Sequence, residues 1–349
     1  MTRTSPPDLS IHHPHPTPPA PGETVEVAQG IWWMRLPLPF RLNHVNVYLI
    51  EDGDGFALVD CGIDDKPTRE IWERLLVERF RDRPIRRLIV THFHPDHVGA
   101  AAWLVEKCGV PLEMSETEYL LALALTLDPG ALEAGPYRRF YTSNGLDPEL
   151  TDLVVTQGHR YLRMISGLPP TFRRIIAGDK LTIGSRTFDV LTGGGHAAEQ
   201  IMLYCRADNL FLSADQVLAR ISPNVSVHPR DPDGDPLGIY LRSLRDVAQT
   251  VLADALVLPG HDLPFVGLHE RVEGMRAHHE GRCEEIAKAC RDEARSAAEL
   301  IPVLFRRELD PHQTGFAFTE AMAHVNYMLR RDRLSRQPGR DGIKRFRAV

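Results

Sequence analysis

Between Thr91 and Gly99 the chain reads THFHPDHVG, which sets His92, His94, Asp96 and His97 in the spacing HxHxDH. Three imidazoles and a carboxylate within six residues are costly to place beside a hydrophobic core unless something binds them. Zinc, iron or manganese is that partner, because imidazole and carboxylate suit these ions. Arg87–Thr91 (RLIVT) reads as a short buried strand with a helix following from Pro95. Strand alternation then delivers His92 and His94 to one side, and the turn into the helix brings Asp96 and His97 round to a second position. Three further residues stand downstream, each where a strand runs into a loop: His196 after Gly193-Gly194-Gly195, Asp215 after Ser213-Ala214, and His261 after Pro259-Gly260. One such residue would read as a turn. Three in order, each beside glycine or alanine that lets backbone approach closely, point to a shared site.

The segments THFHPDHVG, GGGHAAEQ, LFLSADQVL and VLPGHD resemble the metallo-β-lactamase superfamily, over roughly Val25 to Val266. The resemblance implies a four-layer αββα sandwich. It also implies that His92, His94 and His196 hold one metal, that Asp96, His97 and His261 hold a second, and that Asp215 bridges both. Asp60, in Val59-Asp60-Cys61-Gly62, would steady the metal loop. Two cations sharing a water lower its pKa and make a bridging hydroxide able to attack an acyl carbon or a phosphorus atom. Asp96 is the candidate for orienting that nucleophile and moving its proton. Zinc leads, with iron and manganese as alternatives. Asp215 stands where the penicillin-destroying branch carries cysteine, which points to the glyoxalase II, lactonase and phosphodiesterase branches. Ser222–Val225 and Glu320–Leu334 resemble a subgroup with a small winged-helix-like C-terminal module; its members are bacterial hydrolases, fungal polyketide thioesterases and an animal endoribonuclease.

The elements that must position these residues are legible from periodicity. Ile31–Leu36, Asn43–Glu51 and Phe56–Cys61 read as strands, the last two joined by an Asp/Gly turn. Lys66–Phe80 carries a helical apolar stripe, and Pro95–Cys108 reads as one helix. Strands resume at Lys180–Ile183, Thr187–Leu191, Ile201–Arg206, Asn209–Ser213 and Ala255–Leu258, with a long helix expected over Leu268–Ala298 and shorter ones over Pro302–Leu309 and Phe316–Arg331. The expected organisation is a disordered Pro/His-rich tail at 1–24, a catalytic domain at 25–268 with a helical insert near 116–168, and a winged-helix-like domain at 269–349.

Composition bounds the function. The chain has 349 residues, 43% hydrophobic and 25% charged, the balance of a soluble globular protein. No run approaches the roughly 18 apolar residues of a membrane span. Five scattered cysteines without a CxxC argue against a disulfide framework and for a reducing, cytoplasmic setting. Net charge is −6, but residues from Arg330 onward hold eight Lys/Arg against two Asp, a local +6 that leaves −12 elsewhere. That body favours a small ester, thioester or lactone as substrate. The alternative is a nuclease or phosphodiesterase whose basic C-terminus grips nucleic acid, although a solvated terminus is the plainer reading of those charges. The insert serves equally as a cap over the site or as a homodimer contact. Tyr137, Tyr141 and His228 are secondary candidates for touching substrate, while Cys61, Cys283 and Cys290 read as small buried residues.

Overall fold

The computed structural model describes residues 11–127, 135–156, 161–339 and 341–349. The start of the proline-rich tail, two parts of the expected insert (128–134 and 157–160) and Arg340 of the basic C-terminus lie outside them. By packing, the chain forms two units. The first runs to Leu127 and adds Tyr161–Pro223 and Leu244–Val272; the second holds Asn224–Ser243, Glu273–Val349 and the described residues between 128 and 160.

Two sheets organise the first unit. One takes β1 (Thr24–Ala28), β2 (Ile31–Pro37), β3 (His44–Asp52), β4 (Gly55–Val59), β5 (Ile85–Ile89), β6 (Leu112–Met114) and β7 (Arg173–Arg174) in sequence order. Pairing is antiparallel as far as β4 and parallel from there. Along β3, Val45, Val47 and Leu49 join the core under the helices, while Tyr48 and Ile50 face the second sheet. Phe56 and Leu58 of β4 divide from Ala57 and Val59 in the same way. A strand apolar at every position is thus buried on both faces. Helix α1 (Lys66–Glu78) starts on the Asp65 cap, whose carboxylate accepts from the Thr68 amide, and buries Trp72 and Leu75. The second sheet orders β12 (Leu256–Pro259), β11 (Leu210–Ala214), β10 (Gln200–Cys205), β9 (Arg186–Gly193) and β8 (Lys180–Ile183). Its Ile201, Leu203, Leu210 and Leu212 meet the first sheet, and Met202, Tyr204 and Phe211 are buried on the opposite face.

The helix expected over Pro95–Cys108 is two: α2 (Pro95–Val98) and α3 (Ala101–Cys108). The break falls where the Ala100 amide donates to the Gly62 carbonyl, and where a side chain on Gly99 would strike the backbone at Pro95, Met164 and Ile63. Helix α4 (Glu116–Leu127) closes this part of the unit. The expected insert divides here, because α4 stays with the sheets while α5 (Gly135–Thr142) and α6 (Pro148–Thr156) belong to the second unit. Helices α7 (Pro236–Thr250) and α8 (Leu268–Ala289) begin in one unit and end in the other.

The second unit continues with α9 (Ala297–Leu304) and α10 (Pro311–Leu329). Phe140 and Tyr141 of α5 pack their rings on Phe318 of α10, at 5.7 and 5.1 Å. The long helix stops at Ala289 rather than Ala298, because Ser296 forms a capping box with Glu299 and starts α9 there. Helix α9 therefore replaces the one expected over Pro302–Leu309.

Two termini expected in solvent are ordered. From His12 onward the proline-rich segment lies on the first unit: His12 pairs with Val266, and the His13 and His15 rings bond the carbonyls of Pro264 and Val27. The basic C-terminus forms a hairpin of β13 (Leu334–Pro338) and β14 (Lys344–Ala348), held by buried Leu334 and Phe346. Among the described residues no helix is long and apolar enough to cross a membrane.

Candidate metal centre

Five loops at the C-terminal ends of strands converge in the first unit. Asp60 follows β4; His92, His94, Asp96 and His97 follow β5; His196 follows β9, Asp215 follows β11 and His261 follows β12. The turns are forced. Asp60, Ala214 and Asp262 take positive φ of 62°, 47° and 71°, a region costly for residues with a Cβ and kept where surrounding bonds over-determine it. Gly260 has no room for a side chain, since a Cβ there would fall on the Asp215 carboxylate and within 3.0 Å of the His97 ring.

All seven residues proposed as ligands come together. Three sets place one ligand atom per residue within 4.8 Å of one another: His92, His94 and His196; Asp96, His97 and His261; and His92, His97 and Asp215. Asp215 lies between the first two, 3.3 Å from His196 Nε2, 3.2 Å from His261 Nε2 and 3.6 Å from His97 Nε2. Asp96 stands 3.3 Å from His261 Nε2. The donor set fits divalent cations. Two ring nitrogens, His92 Nε2 and His94 Nδ1, converge to 2.9 Å, closer than two lone pairs lie without a proton or cation between them. His97 Nε2 and Asp215 Oδ1 are buried with no hydrogen-bond partner, a costly state that a cation relieves.

The neighbours select the tautomers. His97 Nδ1 meets Asp60 Oδ2 at 2.8 Å, and His261 Nδ1 meets the His44 carbonyl at 2.8 Å. Both partners only accept, so Nδ1 carries a proton and, in the neutral ring, Nε2 faces the cluster with a lone pair. Asp60 also accepts from the Thr91 amide and hydroxyl, at 2.8 and 2.9 Å. With its hydrogen committed to Asp60, the Thr91 hydroxyl accepts from His92 Nδ1 at 3.0 Å, which leaves His92 Nε2 unprotonated. Cys61, buried as expected, donates from Sγ to the His97 carbonyl at 3.0 Å.

Electrostatics divides the imidazoles. Burial, then neighbouring imidazoles, hold His92 and His94 well below the ordinary histidine value. Burial also opposes charge on His97 and His261, but Asp215 and Asp96 outweigh it and lift both, His261 to about 10. Burial alone would raise Asp96 and Asp215; His97 and His261 instead hold both carboxyls low. Protein stripped by a chelator is therefore expected to keep a proton on the His261 ring beyond the neutral form at pH 7, and His97 is pushed in the same direction. Stability from these pairs is fully present below the ordinary histidine pKa and is lost as pH rises through the raised values. A cation must displace the same protons. Zinc binding is expected to release protons, and apparent affinity to climb with pH between about 6.5 and 10. A weakly buffered titration showing no proton release at pH 7 would contradict this.

Several residues that hold the site escaped sequence reasoning. Asn46 donates from Nδ2 to the carbonyls of Pro259 and Asp262, at 2.9 and 3.1 Å, and the Tyr48 hydroxyl donates to Pro259 at 2.8 Å. From β3 they pin the loop that carries His261. Gln200 bonds the Gln216 side chain, and its own oxygen accepts from the Asp215 amide at 3.3 Å. Glu118 of α4 accepts from the Phe93 and Glu199 amides, at 2.9 and 2.6 Å. The available signal was a polar side chain inside an apolar run, as at Asn46 and Gln200. Of the secondary candidates, Tyr137, Tyr141 and His228 belong to the second unit, with Tyr141 buried on Phe318.

Comparison with known proteins agrees with this geometry. Residues 41–261 match the model of the metallo-beta-lactamase superfamily, and residues 283–349 match that of the metallo-beta-lactamase-like C-terminal domain. The probable metallo-hydrolase YqjP of Bacillus subtilis is 26% identical, over 79% of this chain and 86% of its own. A linear primary-alkylsulfatase of Pseudomonas is 28% identical over 64% of this chain but only 42% of its own length. Among solved structures, a beta-lactamase domain protein from Burkholderia ambifaria superposes with a TM-score of 0.89 at 39% identity, covering 97% of this chain and 98% of that one. The metallo-beta-lactamase family protein TTHA1429 from Thermus thermophilus gives 0.78 at 26%, covering 92% and 99%. With its histidines and carboxylates gathered at the strand ends of a two-sheet fold, this chain belongs to the metallo-β-lactamase superfamily and is a metallo-hydrolase of that superfamily.

Proposed function

We propose that the protein is a two-metal hydrolase of small esters, thioesters or lactones. His92, His94 and His196 would hold one cation, and Asp96, His97 and His261 the other, with Asp215 between them; zinc leads over iron and manganese. Bound there, two divalent cations supply an activated water and positive charge against a developing oxyanion. Asp96 is the most exposed of the carboxylates, at 20% against 7% for Asp215. It is therefore the group that can hold the nucleophile's proton and pass it to the leaving group.

The observation that supports the acyl class is an apolar cluster packed beside the first triad. Phe93, its ring 4.7 Å from that of His94, packs with Ala122 and Ala197, and half-buried Leu121, Leu125 and Leu168 surround them. The half-buried rim of this cluster, Leu121, Leu125, Tyr161 and Leu168, is better matched to a carbon chain than to a polyanion. The nucleic-acid alternative loses support from the ion pairs of the C-terminal arginines. Arg331 pairs with Asp235, Arg333 with Glu280 and Glu284, Arg336 with Asp233, and Arg345 with Asp341. Each of these cations already has a carboxylate partner, which lessens the positive charge it offers a polyanion. We read the C-terminal domain as winged-helix-like on its helices followed by a hairpin, and the five free thiols as fitting the reducing cytoplasm.

The test is turnover by zinc-loaded, metal-quantified protein against acyl thioesters, aryl esters, lactones, dodecyl sulfate, bis(p-nitrophenyl) phosphate and a short RNA. Turnover of the acyl substrates alone is expected. Cleavage of RNA that is lost when exposed Lys344 and Arg347 both become Glu would establish the alternative. Cleavage of the alkyl sulfate alone would keep the metals and the apolar cluster but replace the acyl centre by sulfur.

A further inference from the structure

Glu118 lies on α4, outside every ligand loop, yet it is fully buried. Its place in the sequence reads as helix capping: Ser115-Glu116-Thr117-Glu118 has the S-x-x-E form, and the Ser115 hydroxyl does accept from the Glu118 amide, at 3.4 Å. In a capping box the glutamate would reach back to the serine amide. Here its two oxygens go elsewhere. Oε2 accepts from the amide of Phe93, the residue between His92 and His94, and Oε1 accepts from the amide of Glu199, three residues past His196. One carboxylate therefore joins the two loops that carry all three histidines of the first triad.

We propose that Glu118 is a positioning residue for the His92/His94/His196 triad, clamping its two loops at the spacing one cation requires. The other carboxylate of α4, Glu116, pairs with Arg174 instead. A neutral amide offers one acceptor oxygen, and its NH2 would face one of the two backbone N–H groups, so glutamine can hold one loop but not both. The second triad has separate supports: Asp60 on His97, and the His44 carbonyl with Asn46 and Tyr48 around His261. Among the contacts to the loop after His196, the Ser115 hydroxyl also donates to the Glu199 carbonyl at 2.9 Å. The start of α4 thus grips that loop by both faces of one peptide region. The bridge is long-range, 25 residues to Phe93 and 81 to Glu199, which a mere helix cap would not need.

The experiment measures metal rather than activity. Zinc-loaded full-length Glu118→Gln is dialysed against graded chelator, metal per chain is counted by mass spectrometry, and melting of the stripped protein reports the fold. One equivalent is expected to leave with about 10–100-fold weaker affinity while the other stays as in the parent. His94→Ala should lose the same equivalent, and the double variant no more than either single one. A purely structural role predicts a lower melting temperature with both affinities unchanged or both weakened alike, and that result overturns the proposal. If Glu118→Gln does not fold, Glu118→Asp keeps the charge but is one methylene too short to reach both amides; it should show the same selective loss, and equal retention at both sites overturns the proposal. The inference rests on the two-metal reading only for which equivalent departs. A parent protein that binds one equivalent refutes that reading, whereas Glu118→Gln still either weakens that equivalent or, by leaving it unchanged, refutes the clamp.

Discussion

Asp215→Ala is expected to lose bound metal and about 10³-fold or more of turnover together. Asp215 stands within 3.6 Å of histidines from both triads. Its removal leaves His97 and His261 without the carboxylate that most strongly opposes their desolvation. Of the carboxylates facing these two Nε2 atoms only Asp96 then remains, so two bound cations would repel each other with less negative charge between them. The alanine itself is small enough for the site, and the preceding Ala214 already holds the left-handed turn, so the fold should survive. Metal counting and turnover on the same sample check this. Full activity with metal retained would end the two-metal mechanism, and normal metal content with lost activity would move Asp215 from ligand to chemistry.

The second large effect comes from a nearly isosteric change. In Asp60→Asn the amide oxygen can still accept from the Thr91 amide, and asparagine tolerates the positive φ at this position. The NH2 then replaces Oδ2 and points at His97 Nδ1 and the Thr91 hydroxyl, where two donors had pointed at an acceptor. His97 can answer only by moving its proton to Nε2, the atom that must meet the cation. A wrong tautomer of this kind is severe in catalysis even when geometry is intact. We expect a melting temperature within a few degrees of the parent, metal at the Asp96/His97/His261 triad weakened about 10–100-fold, and turnover lowered with it. Nitrogen-detected imidazole spectra read the tautomer directly. A His97 still protonated at Nδ1 would show that the carboxylate does not select it.

Much of the fold was legible because it rests on local periodicity. The strand at Lys180–Ile183 matches its expected bounds, and most other strands agree within two residues, since buried strands announce themselves by apolar runs between turns. Short strands without such runs were not legible. Leu112–Met114 and Arg173–Arg174 are strands only because a neighbour pairs with them. The β13–β14 hairpin was hidden by its arginines: Leu334 and Phe346 are its buried anchors, and the charged residues between them dominate any reading of the segment as a solvated tail. The docked N-terminal segment was hidden likewise, since its proline and histidine content describes a chain with no core of its own, and the core it lies on belongs to residues far along the sequence.

By itself the sequence named the residues that could hold a metal. HxHxDH, with His196, Asp215 and His261 at strand ends, requires only residue types and strand-loop boundaries, and these are properties of neighbours in the chain. Tertiary structure alone decided how those residues are presented. The proton on His97 is placed by Asp60 from 37 residues away, the loop of His261 is pinned by Asn46 from 213, and the loops of His94 and His196 are joined by Glu118 across 25 and 81. It also decided that the insert divides, because the rings of Phe140 and Tyr141 find Phe318 only when distant helices pack. A hydrogen bond or a ring contact depends on two surfaces meeting in space, and no periodicity in either segment encodes which partner it will meet.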